Sequence, residues 1–255
     1  MLRPRIIPCL LIKNGGLVKT VNFGNPKYVG DPINAVRIFN EKEVDELFVV
    51  DIDASTQNCE PNYTLIRNLA AECRMPLCYG GGVKTVEQIH RIINLGVEKV
   101  AISSAAVDNP MLLSQACEKV GRQSIVFVMD VKKSGREYEV YTHNGMRATK
   151  LDPVDFAKRV EPFAGEIVVN SIDRDGTMKG YDMDFIERLH DAINVPLTVL
   201  GGAGSLTDFA DLIRHFRIIG AAAGSLFVFK GVYRAVLINY PSRVDKDALI
   251  LRALN

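Results

Sequence analysis

The chain repeats itself at a spacing of about 120 residues, and no other feature of the sequence constrains its fold as strongly. Glu46–Asp53 (ELFVVDID) aligns with Glu166–Asp173 (EIVVNSID), and the glycine pair at 81–82 aligns with the pair at 201–202. Ile6–Lys13 likewise aligns with Ile125–Lys132. Segments that shared only their composition would not stay in register over so many elements. The repeat therefore predicts two similar halves of one fold.

Short apolar runs alternate with helical patterns along both halves, as is typical of parallel strands covered on both faces. The helices begin at recognisable caps: Asp31 before Pro32, Thr85 with Gln88 three residues later, and Ser205. We expect one α/β domain over residues 1–255, a (β/α)8 TIM barrel made of two half-barrels. The predicted strands are Arg5–Ile12, Glu46–Asp51, Pro76–Tyr79, Lys99–Ser103, Ser124–Asp130, Glu166–Ser171, Pro196–Leu200 and Ile218–Ala222.

The composition excludes several classes of function. Lysines and arginines number 31 against 30 acidic residues, so no broad basic surface for nucleic acid is expected. The apolar run Ile6–Ile12 is too short to span a membrane. Five cysteines without a C-x-x-C pair argue against a disulfide framework, and the four histidines share no metal-ligand spacing. We predict a cytoplasmic protein without a metal or another cofactor.

Glycines and serines follow the predicted strands at the end where barrels of this kind carry their active sites. Glycines let backbone N–H groups approach an anion closely, and the following helix N-terminus favours negative charge. Because the pattern occurs once in each half, we predict two phosphate-binding sites and a ligand with a phosphate at both ends. The predicted ligand residues are Gly81, Gly82, Ser103 and Ser104 in the first half, and Gly201, Gly202, Gly204, Gly224 and Ser225 in the second.

Acidic residues are the candidates for chemistry at the same end of the barrel. Asp130 follows the apolar run Ile125–Met129, and a carboxylate there can act as a general acid or base. Asp51 and Asp53 follow the second predicted strand and either cap a loop or take part in the chemistry. Asp175 lies in the loop after the sixth predicted strand.

Several motifs, in order along nearly the whole chain, resemble HisF, the cyclase subunit of imidazole glycerol phosphate synthase. The resemblance implies a barrel that receives ammonia from a HisH-like glutaminase docked on its N-terminal face and uses it on a bisphosphorylated nucleotide. It also implies that Lys19, in the family's active-site loop, Asp175 and Gly176 contact the phosphorylated ligand. The matching segments are Arg5–Leu10, Lys19–Phe23, Gly30–Pro32, Tyr79–Gly82, Ser104–Val107 and Asp173–Thr177.

The family has a gate of four charged residues where ammonia enters, and this sequence matches all four positions: Arg5, Glu46, Lys99 and Glu166. The repeat relates Glu46 to Glu166 without any knowledge of the family. All four residues begin predicted strands, so they are expected to surround the N-terminal end of the barrel. A ring of ion pairs that only stabilises this end is the alternative interpretation.

The resemblance assigns Asp130 to one of two catalytic aspartates, but the other position holds Leu11. Leu11 cannot transfer a proton, and losing one member of an acid–base pair costs ~10²–10⁴ in rate. Ser103 and Cys78 also replace an asparagine and a threonine that the family has there. These changes predict a divergent paralogue.

Two C-terminal segments, Gly224–Lys230 and Ala235–Pro241, resemble HisF-like proteins of surface-polysaccharide clusters. In those systems the ammonia reaches an N-acetyl-sugar amidotransferase, a second expected partner, which makes an acetamidino sugar. A genuine cyclase of histidine biosynthesis and a non-catalytic barrel that binds a phosphorylated ligand are the alternatives.

Overall fold

In a computed structural model, which describes residues 3–255, eight parallel strands form a closed barrel. The first barrel strand pairs with both the second and the eighth, and Arg5 lies opposite Gly220 where the ring closes. This arrangement confirms the predicted (β/α)8 barrel. The barrel strands are β1 Arg5–Lys13, β2 Leu47–Asp51, β3 Leu77–Gly80, β4 Lys99–Ile102, β5 Ile125–Ser134, β6 Glu166–Ser171, β7 Leu197–Leu200 and β8 Gly220–Ala223.

Helices connect the strands and begin at the predicted caps. The Asp31 side chain accepts a hydrogen bond from the Asn34 N–H at 2.8 Å. Thr85 and Ser205 each begin a complete capping box, the second one closed by Asp208. The α-helices span Pro32–Glu41, Ile52–Thr56, Tyr63–Glu72, Val86–Asn94, Ser104–Asp108, Met111–Val120, Pro153–Val160, Met183–His190, Leu206–Phe216, Ser225–Val228 and Arg243–Leu254. Within residues 3–255 no helix has the length and apolarity needed to cross a membrane.

Three antiparallel hairpins, which the sequence analysis did not predict, extend from the barrel. Asn14 and Gly15 both have positive φ angles (49° and 75°) and turn the chain from β1 into the first hairpin. An Asn-Gly turn of this kind joins hairpin strands because its twist matches theirs. The hairpin strands are Gly16–Val21 with Gly24–Gly30, Glu137–Thr142 with Arg147–Ala148, and Phe229–Lys230 with Ala235–Val236.

Two predicted strand ends differ from the structure by more than one residue. β5 continues past Asp130 to Ser134 because its last residues pair with Glu137–Thr142. β8 begins at Gly220 rather than Ile218, and the Ile218 side chain is exposed.

The barrel interior is filled by apolar side chains that alternate with outward-facing ones along each strand. On β1, for example, Ile6 packs in the layer between barrel and helices, whereas Ile7 packs inside the barrel. The interior between the two ends is therefore apolar. The inner residues are Ile7, Cys9, Phe48, Cys78, Ala101, Val126, Val168, Leu200 and Ala222.

The last helix is fixed to the N-terminal end of the barrel through Asp45. The buried Lys246 ammonium lies 2.5 Å from the Asp45 carboxylate, which also accepts a hydrogen bond from the Ile6 N–H at 2.9 Å. The Tyr240 hydroxyl donates to the Ile6 carbonyl at 2.9 Å. Arg3 and Asp247 are 3.4 Å apart at the same end, so the first and last described elements meet there.

Candidate functional site

A cavity of about 360 Å³ opens at the carboxyl ends of the barrel strands, and we refer to it as the mouth. Of the residues predicted to bind a ligand, Gly204 does not line the mouth: its N–H donates to Asp208 in the capping box at 2.8 Å. The other candidates come together there. They are Leu11, Lys19, Gly81, Gly82, Ser103, Ser104, Asp130, Asp175, Gly176, Gly201, Gly202, Gly224 and Ser225.

The two glycine pairs have matching geometry on opposite sides of the mouth. Gly81 and Gly201 have φ angles of +110° and +95°, which side chains rarely adopt. A Cβ on Gly81 would lie 2.2 Å from the Asp51 carbonyl oxygen, and a Cβ on Gly201 would lie 2.7 Å from the Ser171 carbonyl oxygen. Each half therefore has a close backbone approach that only glycine permits, as the repeat predicts.

The serines after β4 have different roles. The Ser104 hydroxyl accepts a hydrogen bond from the His143 N–H at 2.9 Å, which holds the second hairpin over the mouth. Ser103 begins the helix Ser104–Asp108 without a capping bond from its side chain. Its hydroxyl is thus available to a ligand in the mouth.

Asp130 lies in the mouth with the Asn170 Nδ2 donating to its Oδ1 at 3.1 Å. Burial raises the pKa of Asp130 to about 7; the Asn170 hydrogen bond opposes that rise and the nearby Asp175 carboxylate adds to it. An acid with a pKa near neutrality can both donate and accept a proton at physiological pH. The chemistry predicted for Asp130 is therefore available to it.

The first hairpin brings Lys19 into the barrel rather than leaving it in a solvent-exposed loop. Lys19 is 5% exposed, and its ammonium donates to the Cys9 carbonyl. Burial lowers the pKa of Lys19. Asp175 accepts a hydrogen bond from the Thr20 hydroxyl at 2.8 Å, and burial raises the pKa of its carboxyl group.

Asp51 and Asp53 have the capping role that the sequence left open. Asp51 accepts hydrogen bonds from the N–H groups of Asp53 and Ala54 at 3.0 and 3.2 Å, and so begins the helix Ile52–Thr56. Asp53 accepts from the Asn14 N–H at 2.8 Å and fixes the turn of the first hairpin.

The register of the sheet exposes a difference between the two halves at the mouth. Leu11 on β1 lies opposite Val50 on β2, and Asp130 on β5 lies opposite Asn170 on β6. All four residues line the mouth. An apolar pair in the first half therefore occupies the position of a hydrogen-bonded polar pair in the second.

At the opposite end, Arg5, Glu46, Lys99 and Glu166 form a closed set of ion pairs, which we call the charged ring. Arg5 contacts both carboxylates, at 2.7 Å in the case of Glu166. Lys99 lies 2.8 Å from each of them. Burial alone would raise the pKa of Glu166, but Arg5 and Lys99 outweigh it and hold the pKa below its ordinary value.

A second cavity, of about 10 Å³, lies directly inside the charged ring. It is lined by both ring glutamates, by Cys78 and Thr198, and by apolar residues of the barrel interior. The Thr198 hydroxyl donates to Glu166 at 2.5 Å. A space of this size accommodates about one water-sized molecule.

Several residues of the mouth were not predicted from the sequence: Thr20 and Phe23 from the first hairpin, His143 and Asn144 from the second, and Asn170 from β6. The Asn-Gly dipeptides at 14–15 and 144–145 were the available signal for the hairpins. Among residues 3–255, no group of three His, Cys, Asp or Glu side chains could hold a metal ion.

Comparisons with known proteins agree with this architecture. A family described as "Histidine biosynthesis protein" matches residues 5–234. A Leptospira interrogans protein, provisionally named imidazole glycerol phosphate synthase subunit HisF, is 56% identical over 98% of this chain and 99% of its own length.

Two further relatives give the same result. A Vibrio vulnificus protein, provisionally named subunit hisF3 of that synthase, is 57% identical over 96% of each chain. The imidazole glycerol phosphate synthase subunit HisF of Alkaliphilus metalliredigens is 42% identical over 91% of this chain and 93% of its own. The chain therefore belongs to the histidine biosynthesis protein family and is a HisF-like member of it.

Proposed function

We propose that this chain is the barrel subunit of an ammonia-transferring complex, in which ammonia enters through the charged ring and leaves at the mouth. The apolar interior between the two ends supports this path. Burying an ion without a partner is costly, so an apolar interior admits neutral ammonia and rejects ammonium. The small cavity inside the ring, next to Cys78 and Thr198, has room for one such molecule.

A HisH-like glutaminase docked at the ring end is the proposed source of the ammonia. Arg5 and Lys99 keep 26% and 20% of their side chains exposed, so the ring can be reached from outside the barrel. The relatives named above are called subunits of a synthase, which fits a chain that works in a complex.

The proposed ligand of the mouth is a phosphorylated small molecule. A volume of about 360 Å³ lies within the usual range for small-molecule sites. The glycine pairs at 81–82 and 201–202 line both sides of the cavity, where a backbone without side chains lets N–H groups approach an anion, and Ser103 and Ser225 add hydroxyl groups. No nucleic acid and no membrane is part of this proposal.

Leu11 is the residue that distinguishes between the possible reactions. Ring closure by an acid–base pair needs a second proton-transfer group, and Leu11 presents hydrocarbon to the mouth opposite Val50. We therefore propose a divergent paralogue whose ammonia goes to another acceptor. That acceptor is an N-acetyl-sugar amidotransferase that converts a surface-polysaccharide sugar to its acetamidino form.

A second candidate is a genuine cyclase of the histidine pathway, and the state of Asp130 favours it. The pKa of about 7 lets this single carboxyl both give and take a proton. Asp175 and Lys19 lie in the same cavity and are the groups that would replace the missing aspartate. The third candidate is a binding barrel without turnover, in which the charged ring only stabilises the N-terminal end of the barrel.

The deciding experiment measures turnover of the bisphosphorylated histidine-pathway nucleotide with a saturating ammonium salt and no partner protein. Free ammonium bypasses the glutaminase, so the assay reports the chemistry of the barrel alone. The paralogue proposal expects binding of the nucleotide without turnover. Turnover at about 1 s⁻¹, within the usual range for enzymes, would refute it in favour of the cyclase.

A binding experiment separates the third candidate. Isothermal titration of the chain with a purified HisH-like glutaminase is expected to detect a complex that the charge-reversing variant Lys99→Glu weakens. Absence of a complex with the unmodified chain would leave the binding barrel as the better interpretation.

A further inference from the structure

Asn170 contacts Asp130 and is itself almost fully buried. It lies at the carboxyl end of β6, in register with Asp130 on β5, and only 9% of it is exposed. Its Nδ2 donates to Asp130 Oδ1 at 3.1 Å. The carboxyl group of Asp130 is thereby held in one orientation at the edge of the mouth.

The other end of the same amide is in an unfavourable environment. Asn170 Oδ1 is buried and has no hydrogen-bond partner within residues 3–255. It lies against Gly201, at 3.1 Å from where a Cβ on that residue would be. A buried acceptor that is left unpaired costs stability, and native proteins keep few of them.

The first half of the barrel demonstrates that the fold does not need an amide at this position. Val50 is the residue equivalent to Asn170 in the repeat, and it packs against Leu11 in the same register. A β-branched hydrocarbon side chain therefore satisfies this position in the sheet. Asn170 has a cost that Val50 does not have, and the one hydrogen bond that its side chain makes within residues 3–255 is to Asp130.

We infer that Asn170 is a positioning residue for Asp130, which orients the carboxyl group and stabilises its ionised form at the expense of the stability of the fold. The inference rests on the proposed role of Asp130 in proton transfer. Asp175 also raises the pKa of Asp130, and Asp130 in turn raises the pKa of the Cys9 thiol, whose residue's backbone carbonyl accepts a hydrogen bond from Lys19.

The test is the variant Asn170→Val, which installs the residue of the first half. Removing the Nδ2 donor removes support for the carboxylate, so the pKa of Asp130 is expected to rise further. Carbon-13 NMR titration of the carboxyl group measures this directly, with Asp130→Asn identifying the signal. At a pH below the pKa of Asp130, where its carboxyl group is uncharged, the melting temperature is expected to rise by roughly 2–4 °C, because the unpaired oxygen is gone.

A second variant and a matched control complete the experiment. Asn170→Leu keeps the branched outline of asparagine and is expected to raise the pKa of Asp130 in the same direction. Val50→Thr changes the equivalent position in the other half and is expected to leave that pKa unchanged. An unchanged pKa in both Asn170 variants, or a lower melting temperature in both, would overturn the inference.

The titration needs neither a substrate nor a partner protein. Its result is therefore independent of whether the barrel turns over a nucleotide or conducts ammonia. Failure of the proposed function would leave the Asp130 titration as it is.

Discussion

The two ends of the barrel handle charge in opposite ways. In the charged ring, two carboxylates and two cations neutralise one another, and each carboxylate contacts both cations. In the mouth, Asp130 accepts a hydrogen bond from the Asn170 side-chain amide, and Lys19 donates one to the Cys9 carbonyl. Paired charges remain ionised when they are buried, whereas buried groups with neutral partners shift toward their uncharged forms.

Under the proposed function, this contrast corresponds to two tasks. Ammonia that enters at the ring would have to pass between residues that stay charged, so ion pairs would have to separate to admit it. A mouth whose acid titrates near pH 7 can exchange protons with a ligand. Experiments that change one end should therefore affect different properties from experiments that change the other.

The largest expected effect comes from restoring the second acid in the mouth. Leu11→Asp places a carboxyl group in the half of the mouth opposite Asp130. If this acid is the only component that the cyclase reaction lacks, ammonium-dependent turnover of the bisphosphorylated nucleotide is expected to rise by ~10²–10⁴-fold.

Leu11→Asn is the matched control for that measurement, because it has the size and polarity of the aspartate but transfers no proton. An equal gain in both variants would attribute the effect to polarity rather than to acid–base chemistry. No gain in either would mean that Ser103, which lines the mouth, has changed the site as well; Cys78 lies in the barrel interior beside the charged ring and not at the mouth.

The variant Glu166→Gln tests the charged ring at the other end of the barrel. The amide keeps the shape of the side chain but leaves Arg5 and Lys99 with a single carboxylate between them. Breaking a buried ion pair typically costs about 3–5 kcal/mol, and we expect a loss of that size in the free energy of unfolding at pH 7. Urea denaturation measures the loss.

The pH dependence of this loss has a defined sign. Because the pKa of Glu166 is lowered in the folded protein, its contribution is present above the ordinary value of 4.5 and disappears as the pH falls below it. Glu98→Gln, an exposed residue beside Lys99, is the control. A loss below about 1 kcal/mol for Glu166→Gln would mean that the ring contributes little stability.

The smallest of these effects concerns Asp130 itself. Its pKa is about 7 in the folded protein and about 3.9 in an unfolded chain, so folding is favoured when this group is protonated. That contribution is complete below pH 4 and is lost as the pH rises through 7. Asp130→Asn removes the titration and is expected to add about 2–4 kcal/mol of stability at pH 8.

Denaturation curves between pH 4 and 8 check this prediction. The variant should have a flatter dependence of stability on pH than the unmodified protein. Asp211→Asn, on the exposed side of the helix Leu206–Phe216, should reproduce the unmodified curve. A steep dependence that persists in Asp130→Asn would assign the titration to another group.

The barrel could be predicted from the sequence because its physical signals are local and repeated. Parallel strands covered on both faces require unbroken apolar runs, so Glu166–Ser171 was predicted with both of its ends correct. The repeat then related equivalent positions, such as Glu46 and Glu166. Several hairpin strands were missed because they are largely exposed and carry no continuous apolar pattern, as in Gly24–Gly30.

The site was predicted less completely because its residues are distant in sequence and contact one another only in the folded protein. Whether Asp51 caps a helix or meets a ligand depends on where two N–H groups point, which no spacing reveals. Gly204 lies in a glycine-rich segment of the kind that binds anions, but its N–H already donates a hydrogen bond to Asp208. Asn170 aligns with Val50 in the repeat, and its importance follows only from its contact with Asp130.

The meeting of the first and last elements has a consequence for protein engineering. β1 and β8 pair where the barrel closes, and Arg3 lies 3.4 Å from Asp247. Opening the chain in the turn Arg122–Ser124 and joining the helix Arg243–Leu254 to β1 by a linker would reverse the order of the halves along the chain. We expect such a circular permutant to assemble the same barrel, because none of its strand pairs depends on which half is synthesised first.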